Sequence, residues 1–268
     1  MAEQRFDLDR RVAIVTGAGA GIGKAIALGL ARNGADIVVC DIDEPSVQQT
    51  AAEAMSYGRR AEAVRCDVEH PDQIEALFAR TDAVFGSIDI LVNNVGHLVR
   101  KKPQDLDRED LLWVLKIGAL ATFQCSQEAF RRMAPNNRGG SIINISSIAG
   151  ATALGRGNLT HSVNKGGVNQ LTRELAVEWA KHNIRVNAIL PCQVLTEGFQ
   201  RWLDSPEFDP NLMTNFLSGI PMNRLANPDD MVGPAVFLAS DAASMVTGAL
   251  LPVDGGNLAL NAGGSHTW

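Results

Sequence analysis

Between Thr16 and Lys24 the chain reads Thr-Gly-Ala-Gly-Ala-Gly-Ile-Gly-Lys, with glycines at alternate positions between a short apolar run and an amphipathic one. Glycines at such a junction permit a tight turn and let backbone approach a phosphate. The helix that follows offers unpaired N–H groups and the positive end of its dipole. Pyrophosphate binding is the chemistry this suggests, although a merely flexible strand-to-helix turn would read the same in isolation. The spacing is Thr-Gly-x-x-x-Gly-x-Gly rather than Gly-x-Gly-x-x-Gly. Asp41 follows Gly23 by eighteen residues at the end of the next apolar run, where a carboxylate can accept hydrogen bonds from an adenosine ribose. A 2′-phosphate there would be repelled, and Ala20 offers no cation to offset it, which points to NAD rather than NADP; Lys24 and Arg65 are the cations left to rescue NADP. Asp67 and Val68 close the third run and are placed to pair with and pack on adenine.

The elements that must position these groups alternate. Short runs rich in Ile and Val, as strands buried on both faces should be, occur at Val12–Thr16, Ile37–Asp41, Ala63–Cys66, Ile88–Asn93, Ser141–Ser146, Arg185–Leu190 and Leu250–Val253. Between them, amphipathic stretches predict helices at Ile22–Asn33, Pro45–Tyr57, Pro71–Phe85, Arg108–Met133, His161–His182 and Pro228–Ser240. The order predicts an α/β, doubly wound, seven-stranded parallel sheet with helices on both faces: a Rossmann-type architecture in a single domain over 1–268. Residues 196–226, with Pro206, Pro210 and Pro221, break the rhythm and read as a lid or substrate loop. Residues 257–268 read as a loose tail, a candidate for docking on a neighbouring subunit.

At 268 residues, 46% of them hydrophobic, the chain can bury one large core. A net charge of −6 argues against nucleic-acid binding. No apolar run is long enough for a membrane span, and the charged start carries no secretory signal, so a cytoplasmic location is expected. Cys40, Cys66, Cys125 and Cys192 match no zinc or Cys-x-x-Cys spacing, and no metal site is expected.

Further along come Asn93-Asn94-Val95-Gly96, Ser146-Ser147, Lys165, Ile184-Arg185-Val186-Asn187-Ala188 with Pro191 and Thr196, Phe237 to Asp241, Thr247-Gly248 and Val253-Asp254-Gly255-Gly256. With the glycine turn, this set in this order resembles the short-chain dehydrogenase/reductase family over about residues 8 to 256. The resemblance implies a nicotinamide cofactor across the strand ends, bound by Gly17, Gly21, Ile22, Gly23, Asp41, Asp67, Val68, Asn93, Asn94 and Gly96. It also implies that Pro191, Val194 and Thr196 hold the carboxamide, with Cys192 where a glycine is usual. Ser147 matches the serine that holds the substrate oxygen, and Lys165 the lysine that grips the nicotinamide ribose. The plain alternatives are a turn serine and an exposed helix lysine.

Two departures stand out. The acid/base must share a helical face with Lys165, three or four residues away, and four back is His161 where the family has tyrosine. The chain's one tyrosine, Tyr57, belongs to a distant helix. Counting forward from Ser147 gives Thr160 instead, so the Gly150–Thr160 segment reads one residue long. Helical spacing is the better guide, because a loop absorbs an insertion and a helix does not. The supporting asparagine of the family's water relay aligns with Gly118. An imidazole can accept and donate protons near neutral pH, and a Lys165 cation beside it would favour the neutral base; a space-filling, helix-capping histidine is the plain alternative, and His97 is a weaker second candidate. The expected activity is NAD-dependent hydride transfer between a secondary alcohol and a ketone, by Ser147, His161 and Lys165. The rival readings are a catalytically impaired NAD-binding relative acting as sensor, scaffold or partner subunit, and cofactor-dependent elimination or isomerisation. By analogy with the family, assembly is expected to be a homotetramer or homodimer through the helices near 108–133 and 161–182. The pocket segment offers Phe199, Trp202, Phe208, Met213 and Phe216, with Arg201 and Arg224 as the available anion anchors, and suits an apolar or cyclic alcohol.

Overall fold

Strand β1 (Val12–Thr16) is buried at every residue, and its side chains alternate between two cores. Ala13 and Val15 enter one, Ile14 the other, as the period-two geometry of a strand dictates. The same division holds in β2 (Asp36–Asp41) and β4 (Ile90–Asn93), where Ile37, Val39, Ile90 and Val92 face one side and Val38, Cys40 and Leu91 the other. A sheet apolar on both faces needs a helical layer on each. The structure, a computed structural model, describes residues 3–135, 138–206 and 208–260.

With β3 (Ala61–Arg65), β5 (Gly140–Ile145), β6 (Ile184–Pro191) and β7 (Leu250–Val253), the strands form one parallel sheet in the order β3-β2-β1-β4-β5-β6-β7. Helices α1 (Gly21–Arg32) and α2 (Glu44–Met55) pack on one face through Ile26, Leu30, Val47 and Ala51. On the other face, α3 (Pro71–Phe85) contributes Ile74, Leu77 and Phe78. The seven-stranded, doubly wound architecture expected from the sequence is thus present, its strand ends shifted by one or two residues.

The stretch read as one helix over 108–133 has three parts: α4 (Arg108–Leu115), a π-helical turn (Lys116–Leu120) and α5 (Ala121–Met133). Next comes α6 (Leu159–Trp179), which starts two residues before the expected His161. Residues 196–226 are not a plain loop. They hold α7 (Glu197–Leu203), capped by the Thr196 hydroxyl, and α8 (Asn211–Ser218). The prolines that suggested a loop lie between and beyond these helices, and Pro210 is the residue on which α8 begins. Phe199, Trp202, Phe208 and Phe216 form one aromatic cluster, with ring centroids 4.9–6.3 Å apart. Helix α9 (Val232–Ala239) follows a 3-10 turn at Pro228–Met231 and completes the first face with Ala235 and Leu238.

The start of the expected loose tail is tied down: Leu258 N–H donates to Asp254 Oδ2 at 2.8 Å, and Asn257 donates to the Gly219 carbonyl. The rest of that tail, 261–268, lies outside the described residues. Among the described residues no helix is long and apolar enough to cross a membrane.

Candidate active site

Because β2 and β4 lie on opposite sides of β1, the chain leaves the sheet in opposite directions at the carboxyl ends of β1 and β4, opening a crevice there. Asn94 bridges it. Its Nδ2 donates to the carbonyls of Thr16 and Gly17 at 3.2 and 3.0 Å, and its backbone N–H donates to Thr16 Oγ1 at 3.0 Å. Gly21 adopts φ +55°, in the region that favours glycine. A side chain at Gly23 would strike the Gly17 carbonyl, so this glycine seats α1 against the turn. No side chain of the Ala20 N-cap caps α1. Instead Gly21 N–H donates to Glu197 Oε2 at 3.1 Å, so a carboxylate already sits where a phosphate oxygen would be favoured.

Beside the turn is a cavity of about 460 Å³ lined by Gly17, Asp41, Asp67, Val68, Asn94, Gly96 and neighbours, including Trp113 and Ile117. Asp41 ends β2 there, its carboxylate accepting from the N–H groups of Gly19 and Asp43, both at 3.2 Å. Asp67 accepts from Glu69 N–H at 2.9 Å. Lys24, one of the cations that could rescue a 2′-phosphate, is engaged with Glu53 at 3.0 Å. The open N–H groups, the acidic strand end and the apolar wall at Val68 fit an adenine dinucleotide. Ile22 packs on the core of the first face, Pro191 ends β6, Val194 bridges to Ala226, and the Thr196 side chain lies against Gly21.

Asn93 is a correction. It is buried, and its Nδ2 donates to Ser126 Oγ at 3.2 Å and Asn144 Oδ1 at 2.9 Å; Asn144 in turn donates to Thr172. It joins β4, β5, α5 and α6 beneath the crevice rather than lining it. The doublet Asn93-Asn94 therefore divides its work, the first residue structural and the second at the turn.

A second cavity, of about 180 Å³, lies along the same strand-exit segment and is lined by Ser147, His161, Cys192, Gln193, Arg100 and Arg156 among others. Ser147 Oγ accepts from Ala149 N–H at 3.1 Å, which leaves its own proton to donate. Ser146 is buried and donates to Asn169 at 2.6 Å, away from the cavity. Thr160, the alternative reached by counting from Ser147, is fully buried and exchanges hydrogen bonds with the Val99 backbone at 3.0 and 3.1 Å. His161 is the residue that reaches the cavity.

Lys165 is buried, and its Nζ donates to the Ile145 carbonyl at 2.6 Å, close to Gly96. Burial pulls its ammonium down to about 8. Desolvation and then the Lys165 charge push the His161 imidazole down to about 4, so it is a neutral base over most of the physiological range. Its Nδ1 is buried without a partner. His97 packs edge-on against Trp113 and lines the first cavity, not the second. Cys192, in the usual glycine position, is not among the residues with positive φ, so the backbone there needs no glycine.

Three features were not foreseen. Arg100 and Arg156 come from loops remote from the pocket segment, whereas Arg224 is engaged with both Asp230 oxygens at 2.7 and 2.9 Å and Arg201 does not line the cavity. Asn164 fills the space left by Gly118: a Cβ at Gly118 would collide with its carboxamide, whose oxygen accepts from Ala119 N–H at 2.7 Å while its Nδ2 is buried and unpaired. Finally, Glu197 faces the glycine turn. Among the described residues there is no cluster of three or more potential metal ligands.

A glycine turn opening a helix at the switch point of a doubly wound sheet, beside a cavity lined by a serine and a histidine with a buried lysine one helical turn beyond, is the arrangement of a nucleotide-binding oxidoreductase. Residues 17–257 match the family described as Enoyl-(Acyl carrier protein) reductase. The chain belongs to the short-chain dehydrogenase/reductase family. It is similar to the 2-dehydro-3-deoxy-D-gluconate 5-dehydrogenase of Escherichia coli, with 39% identity over 95% of this chain and 98% of that protein. The cis-4-hydroxycyclohexanecarboxylate dehydrogenase of Sinomonas cyclohexanicum is also 39% identical, over 93% and 97% of the two chains. A crystal structure from Beutenbergia cavernae, named for NAD(P)-dependent gluconate 5-dehydrogenase and holding NADP at low occupancy, superposes with a TM-score of 0.86 at 37% identity, covering 95% of this chain and 99% of that one. An oxidoreductase that uses a nicotinamide cofactor on an alcohol or ketone follows for this chain.

The Gly118–Asn164 contact makes a stability prediction. Gly118→Ala overpacks the π-turn and should cost about 1–3 kcal/mol in denaturant unfolding. Asn164→Ala on top of it should recover much of that loss; no recovery would mean that the two residues do not share one space.

Proposed function

We propose that the chain is an NAD-dependent oxidoreductase that moves a hydride between a secondary alcohol and nicotinamide, with His161 as acid/base. The observation that carries this reading is that Ser147 and His161 line one cavity while Lys165 is buried one helical turn beyond His161. Ser147 donates to the substrate oxygen. His161, neutral above about pH 4, accepts the alcohol proton as the carbonyl forms. A nicotinamide, when bound, would supply the acceptor or donor of the hydride at the carbinol carbon. Lys165 holds the nicotinamide ribose and, while charged, keeps His161 in its basic form.

Asn164 is proposed to supply, from α6, the amide that the family places at the position of Gly118. A carboxamide with a free buried donor occupies that place, which supports the exchange.

The cofactor is proposed to be bound by Gly17, Gly21, Ile22, Gly23, Asp41, Asp67, Val68, Asn94 and Gly96, with Pro191, Val194 and Thr196 at the carboxamide. NAD is preferred because Asp41 would face a 2′-phosphate while Lys24 is held by Glu53. A cytoplasmic setting suits four free cysteines. Exposed Leu120, Leu159, Val163 and Val177 lie on the π-turn and α6, which support a homotetramer or homodimer through these helices.

Four outcomes are expected. His161→Ala should cut turnover of a secondary-alcohol panel about 10²–10⁴-fold while leaving the dissociation constant of NAD, by titration calorimetry, within about twofold; turnover that survives would refute the assignment, and NAD binding with no turnover by the parent would favour the impaired relative. In the parent, kcat/KM for oxidation should fall only as pH drops toward about 4, where His161 protonates, and should change again near about 8, where Lys165 loses its charge. Asp41→Ser should tighten NADP binding by roughly tenfold or more by removing a nearby like charge. Val163→Glu should shift sedimentation toward the monomer; an unchanged assembly would place the interface elsewhere.

A further inference from the structure

Arg100 and Arg156 stand at the cavity that Ser147 and His161 line. The Arg100 guanidinium lies over the Trp202 ring, 4.5 Å from its centre, and that of Arg156 lies over Phe216, 4.7 Å from its centre, so each cation is held against an aromatic face. A cation–π contact uses none of the guanidinium N–H donors. Elsewhere Arg11, Arg59, Arg80, Arg132, Arg138 and Arg224 all meet carboxylates within 4.0 Å. Among the described residues neither Arg100 nor Arg156 does. Each is partly desolvated, and the two are close enough for the Arg100 charge to lower the Arg156 value. Arg156 is also one of few non-glycine residues with positive φ, at +58°, a conformation that costs energy and tends to persist where function needs it. It lies in the 150–160 segment that reads one residue longer than the family's spacing.

We propose that Arg100 and Arg156 form a carboxylate clamp, so that the substrate is a small hydroxy acid, or the matching keto acid, with its reacting carbon beside Ser147 and His161. This rests on reading that cavity as the substrate site. Two like charges held together with no counter-ion among the described residues are unfavourable, and a neutral alcohol would leave them so. A carboxylate relieves both at once through the planar fork that guanidinium presents. The cavity, about 180 Å³, is below the ~300–1,000 Å³ of drug-sized ligand sites, which favours a compact acid. Leu98, Leu154 and Leu212 around the same cavity suit the carbon chain of an organic acid, which inorganic phosphate lacks. Gln193 Oε1, an acceptor buried without a partner, lines the cavity and is available to a further hydroxyl.

The test is titration calorimetry on NAD-saturated protein with glutarate, its neutral diamide glutaramide, and inorganic phosphate. Glutarate should bind at least tenfold more tightly than either. Arg100→Met and Arg156→Met should each weaken glutarate at least tenfold and leave NAD affinity within twofold, while Arg→Lys at either site should weaken it less, since charge survives but the fork does not. Thermal unfolding of each variant checks that the fold is kept. Equal binding of glutaramide, indifference to both Met substitutions, or tighter binding of phosphate would overturn the clamp. Glutarate binding through both arginines with no turnover of any hydroxy acid would sustain the clamp and sink the dehydrogenase reading; turnover of neutral alcohols with no preference for acids would do the reverse.

Discussion

The side chain of Asn94 holds the two halves of this molecule in register where they diverge. A parallel sheet whose chain departs in opposite directions from neighbouring strands must leave a crevice at that point, and nothing in the strand ladder fixes the loops on its rims. Two donated hydrogen bonds from one carboxamide, to the Thr16 and Gly17 carbonyls, do so here. They fix the glycine turn, which sets the direction of α1 and aims its open N–H groups. They also fix the start of the 94–100 segment, which lines the first cavity through Asn94, Gly96 and His97 and the second through Leu98 and Arg100.

Below that tie, electrostatics is set by one buried cation. Lys165 has no carboxylate within ion-pair distance among the described residues and donates to the Ile145 carbonyl. Removing an ammonium from water is costly, and this cost, which brings Lys165 down to about 8, is met by the stability of the sheet that surrounds it. The return is a positive field at the top of α6. A phenol in that field would be drawn toward its anion. An imidazole is pushed the other way, toward neutrality, by its burial first and by this field second, and arrives at the same operational state: a base without its proton at neutral pH. On the proposed assignment, exchanging one ring for another keeps the protonation state needed for alcohol oxidation while giving up reach.

The sheet was legible because both its faces are buried, so Ile and Val fill consecutive positions and strands such as Val12–Thr16 stand out against amphipathic helices. The glycine turn and Asp41 were legible because backbone geometry and charge restrict which residues can stand there. What escaped depended on contacts between distant segments. Asn93 and Asn94 are the same residue type in the same doublet, and only the packing of α5 and β5 assigns one to the interior. Helices α7 and α8 were hidden by Pro206, Pro210 and Pro221, which interrupt a run but also begin and separate short helices. Arg100 and Arg156 meet only when two loops converge over the aromatic cluster. The packing of Asn164 on Gly118 was half legible: the glycine could be seen in one helix, but not that the space beside it is filled from the other.

Helix α7 joins the two cavities mechanically. Its first residue, Glu197, places a carboxylate on the Gly21 N–H, and Thr196 before it touches the same turn. Within two turns of helix, Phe199 lines the second cavity and Trp202 carries the Arg100 guanidinium on its face. A seven-residue helix is too short to bend appreciably, so its backbone carries these contacts as one unit. An anion that takes the Gly21 N–H must displace the Glu197 carboxylate, which stands on the same short helix as the ring beneath Arg100. Arg100 in turn contributes to holding His161 below its ordinary value, so neutralising that guanidinium returns basicity to the imidazole. The glycine turn and Arg100 thus share one short helix, and Arg100 and His161 share one electrostatic neighbourhood.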